Sequence, residues 1–554
     1  MIDCRELPDD HSFDADICII GSGPVGCALA RALSSTQRRI IVLEAGDKAH
    51  DAARQSSDWC ETHRIPERHP PLDLWRRRML GGSSSIWGGR CLPYTPSEMT
   101  DWGAPWPVSY DEYAPYLSRA TEFLELGEND FDARTALPPE DREFLGGLSH
   151  DDLSIDDLER YSPPTNVAER YWSEVVAAEN VTVLLNAPCI EIRLDEAGQR
   201  ADRAIIAPAP QKRCTVRAKT FVIAGGGLET ARLLLASNAD RVNGLGNEHD
   251  HVGRYYMTHL VGNLGRLATD RSVSRRELAF IRTTDGIYTR RNFQPSTAAR
   301  EREGLGAFVL RPTVGRIDDP SHGDGVLSAL FLVRFMLKNE LYANMARRSA
   351  DSRGMASLVL YLRHAANVAL RSPSVLSFAH KWYVVRRRTY RKVPGYEFRR
   401  RDLSYPLEFN AEQAPNPASR VRLGNATDSL GMRRLAVEWQ SSDDDVRTVR
   451  RGFELIRDAL ATSDRARILS SEEELEAAST DLWPAGGHHI GTARMSAEAS
   501  KGVVDRDLKV WSVDGLYVAG SAVFPRSGAA NPTLASVAFA LRLADHLALP
   551  GSAL

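Results

Sequence analysis

A glycine-rich turn between two apolar segments near the start of the chain limits the possible folds most strongly. Residues 17–21 (ICIIG) form a continuous apolar run, which is typical of a buried parallel strand. The run leads directly into GSGPVG, where Gly21, Gly23 and Gly26 have the spacing GxGxxG. A helical pattern follows, and residues 40–46 (IIVLEAG) then predict a second strand. The sequence therefore predicts a βαβ unit within a parallel sheet.

The glycines and one acidic residue of this unit indicate a dinucleotide site. Glycine permits a tight turn, lets the backbone approach a pyrophosphate and allows close packing of the helix, whose N-terminus favours an anion. Glu44 ends the second strand, where its carboxylate is placed to accept a hydrogen bond from a ribose hydroxyl. The alternative is a glycine-rich turn without a ligand, and the motif by itself does not distinguish FAD from NAD.

Two later segments also run from a strand into a glycine turn. TFVIAGGGLETARLLL contains Gly225, and DGLYVAGSAVFP contains Gly520 and Ser521, and these three residues are predicted to bind the cofactor. The intervening segments VTVLLNA, IEIRL and RAIIAPA predict short strands, and an amphipathic helix is predicted from Ala530. One sheet is therefore predicted to form from three separated parts of the chain.

The bulk composition is that of a globular protein with more than one domain. The chain has 554 residues, of which 43% are hydrophobic and 26% charged. Its net charge of -3 gives no overall reason to expect a nucleic acid partner. The seven cysteines include no CxxC pair, so neither a metal site nor a disulfide framework is expected. The acidic first residues, without an apolar core, argue against a secretory leader, and no apolar run is long enough to span a bilayer, so we expect a cytoplasmic protein without a transmembrane segment.

Seven motifs, taken in order, resemble those of the glucose-methanol-choline (GMC) oxidoreductases. They are GSGPVG with Glu44, GGSSSIWGG, AGGGLETARLL, VGRYYMTH, EQAPNPASRV, GGHHIGTARM and SAVFPRSGAANPT. The HHIGT and AANPT forms resemble most the branch that holds pyranose oxidases and sugar or polyol dehydrogenases. The likeness covers both ends of the chain and the middle nucleotide segment, whereas residues 270–405 show none.

The resemblance implies an α/β fold in which a Rossmann-like FAD-binding domain is assembled from discontinuous segments and an α+β substrate-binding domain is interleaved with it. We expect residues 1–95, 175–255 and 485–554 to form the FAD-binding domain. Residues 96–174 and 256–484 are expected to form the substrate-binding domain.

The resemblance also bears on how FAD is held. One branch of the family attaches FAD covalently through a histidine immediately before the tryptophan of GGSSSIWGG, and here that position is Ile86. Noncovalent FAD is therefore predicted. Gly81, Gly82 and Ser83 are predicted cofactor contacts, because small residues let the backbone approach a ligand. The alternative is a simple glycine loop.

The catalytic pair that the resemblance implies is His488, the first histidine of HHIGT, and Asn531 of ANPT. The chemistry agrees, because removal of hydride from an alcohol carbon develops negative charge on its oxygen, and a group that accepts the hydroxyl proton lowers the barrier. Asn531 can hydrogen-bond the same oxygen. His489 is the alternative base, but adjacent side chains in extended backbone point to opposite faces, and it otherwise has a packing or flavin-edge role.

ANPT also predicts the start of a helix. Pro532 suits the first helical position and Asn531 suits the N-cap. The free N–H groups of this first turn can face the flavin and stabilise the negative charge of its reduced form. Thr533 is the side chain expected to touch the ring.

Residues 333–401 form a basic insertion with an unusual charge balance. The acidic residues there are Glu340, Asp351 and Glu397, against many arginines and interleaved apolar residues. The pattern predicts one or two helices, broken near Pro373. The insertion is a candidate for contact with a membrane surface or an anionic substrate, and the alternatives are a solvated helical face or an oligomer contact.

The leading functional hypothesis is a FAD-dependent dehydrogenase or oxidase that oxidises a hydroxyl of a sugar, cyclitol, or related polyol or glycoside. Its partners would be a small-molecule alcohol or sugar and an electron acceptor that the sequence does not assign. The rivals are a flavin hydroxylase, an NAD-linked reductase with the same nucleotide motif, and a noncatalytic, membrane-associating flavoprotein. The HHIGT and ANPT motifs favour the first hypothesis, because a scaffold needs no histidine and amide converging on one point.

Overall fold

The computed structural model describes residues 1–52, 55, 59–61, 69–100, 104–313, 317–333, 355–395 and 403–549. A mixed eight-stranded sheet and an antiparallel five-stranded sheet dominate these residues, and smaller sheets and helices surround them. No helix in these ranges is both long and apolar enough to cross a membrane.

The eight-stranded sheet, called here the nucleotide sheet, combines strands from three distant parts of the chain. Its strands, in chain order, are Ile2–Asp3, His11–Ile20, Ile40–Leu43, Val181–Leu185, Cys189–Leu194, Ala201–Ala209, Lys212–Ile223 and Leu516–Val518. The first four and the last two of these pair in parallel, whereas the hairpin Cys189–Ala209 pairs antiparallel. The predicted assembly of one sheet from separated segments is confirmed.

The long strand Lys212–Ile223 joins the parts of this sheet. One edge pairs with His11–Ile20 along most of its length. The other edge pairs first with Ala201–Ala209 and then, at Phe221 to Ile223, with Leu516–Val518. The apolar ends of these strands are buried, as expected for strands covered on both faces.

Three helices follow glycine-containing turns and cover the nucleotide sheet: Pro24–Leu33, Gly226–Ala236 and Pro532–Ala548. Pro532–Ala548, called here the closing helix, packs against both Pro24–Leu33 and the helix Tyr110–Phe123. Twelve of its residues are buried, because nearly every turn carries Ala, Leu, Val or Phe. Their burial fixes the N-terminus of the closing helix beside the turn that follows Ile20.

The five-stranded sheet, called here the substrate sheet, is antiparallel. Its strands are His259–Thr269, Phe308–Pro312, Ser404–Glu412, Ala466–Leu469 and Trp483–Pro484. The helix Asp443–Leu460 packs on it through a face that includes Val449, Phe453 and Ile456. Ser442 and Asp445 form a capping box at the start of that helix, which satisfies its first free N–H groups.

Shorter elements complete the described chain. The remaining strands are Arg90–Cys91, Leu153–Ser154, Leu158–Tyr161, Ile281–Arg282, Tyr288–Arg291, Gln294–Pro295, Arg420–Thr427 and Arg433–Glu438. The remaining α-helices are Pro96–Met99, Ala133–Ala136, Val167–Arg170, Trp172–Ala177, Arg275–Leu278, Thr297–Glu303, Gly325–Val333, Met355–Leu370, Ser372–Arg388 and Glu472–Thr480.

The basic insertion is described in part. Met355–Leu370 and Ser372–Arg388 are two helices separated at Arg371, close to the break predicted near Pro373. Two parts of the predicted insertion, residues 334–354 with Glu340 and Asp351 and residues 396–401 with Glu397, lie outside the described residues. The domain limits given by the sequence stay a prediction.

Candidate active site

A cavity of about 730 Å³ opens at the carboxyl ends of the parallel strands of the nucleotide sheet. This is where ligands bind in open α/β sheets, and the volume is within the range of small-molecule sites. Most of the predicted site residues line it: Gly21, Gly23, Glu44, Gly82, Ser83, Gly225, His488, His489, Gly520, Ser521, Asn531, Pro532 and Thr533. Gly26 and Gly81 are not among the lining residues, and both have packing contacts instead.

The GxGxxG turn forms one wall of the cavity. Gly21 has a φ of 115°, which side chains rarely adopt, and a Cβ on Gly26 would lie 1.9 Å from the carbonyl oxygen of Gly21. A Cβ on Gly23 would meet nothing within 4 Å. Gly26 therefore permits the helix to pack on the turn, while Gly23 borders open space at the N-terminus of Pro24–Leu33, where an anionic group fits.

Glu44 is buried where the second strand ends. Its side chain accepts hydrogen bonds from the backbone N–H of Gly46 at 2.8 Å and from the hydroxyl of Ser22 in the glycine turn. Burial raises the pKa of the Glu44 carboxyl, although these hydrogen bonds oppose the effect. Glu44 therefore braces the turn as well as lining the cavity, a second role that the motif did not indicate.

The loop at Gly81 to Ser85 lies against the glycine turn. Gly82 has a φ of 55°, and a Cβ there would lie 3.1 Å from the Cα of Gly23. Gly81 packs on Ala168 and donates its N–H to the Ser22 hydroxyl at 3.2 Å. The small residues of this motif therefore permit close approach of two loops, and Ser83 and Ile86 reach the cavity beyond them.

The N-terminus of the closing helix forms the opposite wall. Asn531 occupies the N-cap position, but its side chain makes no capping hydrogen bond. Instead, Asn531 Oδ1 accepts a hydrogen bond from Arg90 Nε at 3.1 Å and another from the same guanidinium group. Since Arg90 occupies the oxygen, the Asn531 Nδ2 group is left as the donor that this side chain can offer to a ligand.

His488 belongs to a chain of hydrogen bonds that assigns its tautomer. His259 Nε2 lies 3.2 Å from the carbonyl oxygen of Ser527, which can only accept, so His259 carries its proton on Nε2. His259 Nδ1 is then an acceptor, and His488 Nδ1 lies 2.7 Å from it. His488 therefore donates through Nδ1 and keeps a lone pair on Nε2, as a proton acceptor requires.

The surroundings keep His488 neutral. Its side chain is half-buried and lines the cavity. Burial, followed by the nearby His259 and Arg90, lowers the pKa of His488 well below its ordinary value. Burial likewise lowers the pKa of His259 to about 4. Both rings are therefore uncharged near neutral pH, in agreement with the tautomers that the hydrogen bonds assign.

His489 belongs to a second chain of hydrogen bonds, formed with Tyr256 and His69. His69 lies 2.8 Å from the carbonyl of Pro70 and 2.9 Å from the hydroxyl of Tyr256, which in turn lies 2.8 Å from His489 Nδ1. The backbone of His489 packs so closely on Gly227 that a Cβ there would lie 2.3 Å from the His489 carbonyl oxygen. The two adjacent histidines thus have different partners, as expected for side chains on opposite faces.

The two imidazoles also differ at their second nitrogen atoms. The Nε2 atom of His489 is buried and has no hydrogen-bond partner among the residues that the structure describes. Burial, with Arg76 next, lowers the pKa of His489 well below its ordinary value. His489 is therefore neutral as well, but it lies with Arg76 and His69, whereas His488 lies with Arg90 and His259.

A cluster of ion pairs holds Arg90 in place. The buried carboxylate of Glu159 lies 3.2 Å from Arg90, 3.1 Å from Arg311 and 3.3 Å from Arg290. Burial opposes the ionisation of Glu159, but the three guanidinium groups outweigh it and lower the pKa of Glu159 to about 2. Glu408 pairs with Arg311 at 2.7 Å, so three arginines face two carboxylates. The cluster therefore leaves one excess positive charge beside Asn531 and His488.

Sequence reasoning missed Arg90, His259, Tyr256 and His69. Arg90 follows the quoted motif GGSSSIWGG directly, and Tyr256 and His259 lie within VGRYYMTH, so three of the four lay in or beside segments already singled out. The signal available was a basic or titratable residue within each motif or directly after it. His69 has no such context in the sequence.

The residues fit the FAD that the sequence implies. Three helix N-termini, at Pro24, Gly226 and Pro532, border one cavity, and a Cβ on Gly226 would meet nothing within 4 Å. Free N–H groups at helix N-termini suit the anionic pyrophosphate and the reduced flavin. Glu44, with its carboxylate fixed at the strand end, suits a ribose hydroxyl.

Two family models match the chain. Residues 16–303 match the model described as FAD dependent oxidoreductase, which is more than half of the chain. Residues 415–540, which include both histidines and Asn531, match the model described as GMC oxidoreductase.

Similar proteins of known activity extend along nearly the whole chain. A 2-methyl-1,2-propanediol dehydrogenase from Mycolicibacterium austroafricanum is 22% identical, over 96% of this chain and 95% of that protein. A 6'''-hydroxyparomomycin C oxidase from Streptomyces lividus is 21% identical, over 96% of this chain and 92% of that protein. The crystal structure of a pyridoxine 4-oxidase from Mesorbium loti has a TM-score of 0.51 at 18% identity, over 96% of this chain and 98% of that one, and shares the fold.

Proposed function

Because the chain belongs to the GMC family of FAD-dependent oxidoreductases, we propose that it oxidises a hydroxyl group of a sugar, cyclitol, or related polyol or glycoside to the carbonyl, with His488 as the base. The observation that carries the proposal is the 2.7 Å contact between His488 Nδ1 and His259 Nδ1. It leaves the lone pair of His488 Nε2 available in the cavity that Asn531 also lines.

FAD, when bound, supplies the acceptor for the hydride that leaves the alcohol carbon. The protein then has two tasks at the alcohol oxygen, which are to take its proton and to stabilise the charge that develops before the proton is fully transferred. His488 Nε2 takes the proton. Asn531 Nδ2 donates a hydrogen bond to the same oxygen and limits the orientations in which the substrate can react.

Arg90 and His259 act through these two residues. Arg90 fixes the amide orientation of Asn531 by bonding its oxygen, and His259 fixes the tautomer of His488. The excess positive charge of the arginine cluster also favours negative charge on the nearby alcohol oxygen. Both residues are therefore positioning residues in this proposal, since neither is required to touch the substrate.

The substrate class is supported by the relatives and by the polar wall of the cavity. The two relatives are named for a propanediol and for a hydroxyparomomycin, both of which carry hydroxyl groups. Asn531, which lines the cavity with its Nδ2 group left as a donor, suits a hydroxylated molecule.

Anaerobic mixing of the holoenzyme with candidate substrates tests the proposal. The panel contains a sugar, a cyclitol, an aminoglycoside and a glycolipid, together with deoxy or O-methylated analogues that lack the hydroxyl. We expect the visible absorbance of oxidised flavin to bleach with at least one hydroxylated compound and not with its blocked analogue. Bleaching by NADH or NADPH, with no response to any alcohol, would show that the proposal is wrong.

A further inference from the structure

The helical hairpin, defined here as Met355–Leu370 and Ser372–Arg388, carries a two-sided distribution of side chains. One side of the first helix faces the protein: His364 stacks on Phe331 with ring centroids 4.0 Å apart, and Asn367 donates to the carbonyl of Pro320 at 2.9 Å. Tyr361, one turn away, also packs near Phe331. This side of the hairpin is therefore anchored to the helix Gly325–Val333 and to Pro320 just before it.

The other side of the first helix is exposed and almost wholly apolar. Leu358 is 57% exposed, Leu362 59% and Leu370 78%. Val359, Ala365, Ala366 and Ala369 are also exposed on this side, and Arg363 is the charged residue among them. These leucines turn outward over about three turns. Within the part of the chain that the structure describes they stay exposed, so this side can accept an apolar partner.

The second helix and the segment after it extend this surface. Leu376, Trp382, Tyr383, Tyr390 and Val393 are all exposed there. In total, residues 355–395 contribute nine exposed large hydrophobic side chains, whereas the rest of the described chain contributes six. The concentration in one short segment distinguishes this surface from the scattered apolar residues of an ordinary protein surface.

The same segment is strongly basic. Residues 355–395 contain eight lysine and arginine residues and no aspartate or glutamate, in a chain whose net charge is -3. The exposed Arg363, Arg371 and Arg388 belong to this set. Leucines, interfacial aromatic residues and positive charge occur together where a helix lies in the surface of an anionic bilayer.

A second copy of the chain suits this surface less well. A two-fold dimer places the same patch of both subunits in contact. Two segments that lack acidic residues would then face each other, and like charges brought together across an interface cost several kcal/mol. A polynucleotide would satisfy the charge but not the exposed leucines. An anionic lipid surface satisfies both.

The surface is joined to the candidate active site. Beyond the hairpin, Tyr390 donates to Glu125 at 2.8 Å, and Arg391 donates to the carbonyl groups of Glu125 and Tyr161. Pro394, three residues further, lines the cavity. We propose that the helical hairpin docks the protein on the surface of an anionic phospholipid bilayer, with a segment of the cavity wall continuous with the docked surface.

Vesicle flotation of the holoenzyme tests this proposal. The vesicles contain phosphatidylcholine alone or a 3:1 mixture of phosphatidylcholine and phosphatidylglycerol. We expect flotation with the anionic vesicles and not with the neutral ones, and a sharp weakening of binding with added salt. Flotation with neither kind of vesicle, or equally with both, would overturn the proposal.

Variants separate the apolar and the charged contributions. The variant Leu358→Ser, Leu362→Ser, Leu370→Ser should lose roughly a hundredfold or more in binding, since each leucine that enters the interface contributes at least about fivefold. Arg363→Gln, Arg371→Gln, Arg388→Gln should lose roughly a hundredfold, because each basic residue near an anionic surface is worth about 1 kcal/mol. The control Val242→Ser, Leu469→Ser removes exposed apolar residues elsewhere and should bind as the parent does.

Two further measurements distinguish loss of lipid binding from loss of folding and from self-association. Bound flavin and the midpoint of thermal unfolding show whether a variant is folded, and these exposed substitutions should leave both unchanged. Light scattering shows whether the parent self-associates. A dimer that the leucine variant abolishes, without lipid binding by the parent, would assign this surface to a second copy and contradict the proposal, as would retention of vesicle binding by both hairpin variants.

Discussion

At the scale of single residues, Glu44 combines two functions that its position in the motif does not separate. Its carboxylate accepts hydrogen bonds from Ser22 and Gly46, which braces the glycine turn, and it lines the cavity where a ribose would lie. Replacement of Glu44 by alanine should therefore weaken FAD binding by about one to two decades, the equivalent of a lost charge-assisted hydrogen bond of roughly 1.5–3 kcal/mol.

Titration of the apoprotein with FAD measures this effect. Glu44→Gln is the matched control, because it keeps an acceptor for Gly46 and removes only the charge, and its affinity should lie between those of the parent and Glu44→Ala. Unchanged affinity in Glu44→Ala would refute the role.

The depressed pKa of His488 makes a second prediction, about pH. A histidine with its ordinary pKa of about 6.5 would lose its lone pair to a proton as the pH falls through that value. Because burial, His259 and Arg90 hold the pKa of His488 well below this value, it stays neutral and able to accept a proton there. We expect the rate constant of flavin reduction by an alcohol to stay level through pH 6.5 and to fall only at lower pH.

His259→Phe tests whether the hydrogen bond contributes to this behaviour. It removes the acceptor of the His488 Nδ1 proton, so reduction should slow by roughly tenfold or more while FAD stays bound. The conservative variant His259→Gln offers an acceptor again and should recover part of the rate. If the rate constant of flavin reduction in the parent instead fell with an apparent pKa near 6.5, this would contradict a neutral His488.

At the scale of elements, the closing helix places the side chain of its N-cap residue, Asn531, differently from what its sequence predicts. Asn-Pro at a helix start predicts an asparagine that caps the helix through its side chain, yet Asn531 bonds Arg90 instead. The helix begins without that cap because Pro532 has no N–H to satisfy and because the apolar face of the helix is buried. The amide is thereby free to act in the cavity.

The variant Asn531→Asp distinguishes the role of the amide oxygen from that of the Nδ2 donor. The aspartate keeps an oxygen for Arg90 but loses the Nδ2 donor and adds a negative charge where negative charge must develop. We expect FAD content and thermal stability close to those of the parent, and flavin reduction slower by roughly a hundredfold or more. Reduction at the parent rate, measured by rapid mixing, would exclude Asn531 as a donor to the substrate.

Local elements could be predicted from the sequence because their signals are local. The apolar strand before GxGxxG, the helix Pro24–Leu33 and the helix that starts at Pro532 follow from adjacent residues. The Arg90–Asn531 contact joins residues 441 positions apart, and the His259–His488 contact joins residues 229 apart. No spacing in the sequence encodes such pairs, so the residues that orient Asn531 and His488 became visible only in the fold.

At the scale of the whole molecule, the nucleotide sheet unites strands from distant segments, and the cavity whose residues fit FAD lies where they meet. Holding the cofactor then depends on the folded arrangement of the GxGxxG turn, the Gly81 to Ser85 loop and the closing helix. Ile86 lines the cavity at the position where one branch of the family has its linking histidine. We predict that acid precipitation of the yellow holoenzyme releases all its flavin to the supernatant, whereas flavin in the precipitate would mean a covalent link.

The basic insertion is another feature that the sequence locates without showing how the fold orients its side chains. Composition located the basic insertion, but it could not show that leucines on the first helix of the hairpin turn outward while His364 turns inward. The distinction between a solvated charged face and a docking surface depends on which side the fold covers. That information comes from packing against the helix Gly325–Val333, a contact between separate elements.

The measurement that tests the central claim most directly is anaerobic stopped-flow reduction of the flavin in His488→Ala, His489→Ala and the parent. His488 is assigned as the base because its Nε2 lone pair is available in the cavity that Asn531 lines and because it lies with Arg90, the partner of Asn531. His489 lies instead with Tyr256, His69 and Arg76. Loss of a general base should slow reduction by about two to four decades in His488→Ala, with FAD retained, and His489→Ala should change the rate much less. Parent-like reduction in His488→Ala, with a slow His489→Ala, would transfer the role to His489, and parent-like reduction in both would contradict the proposed mechanism.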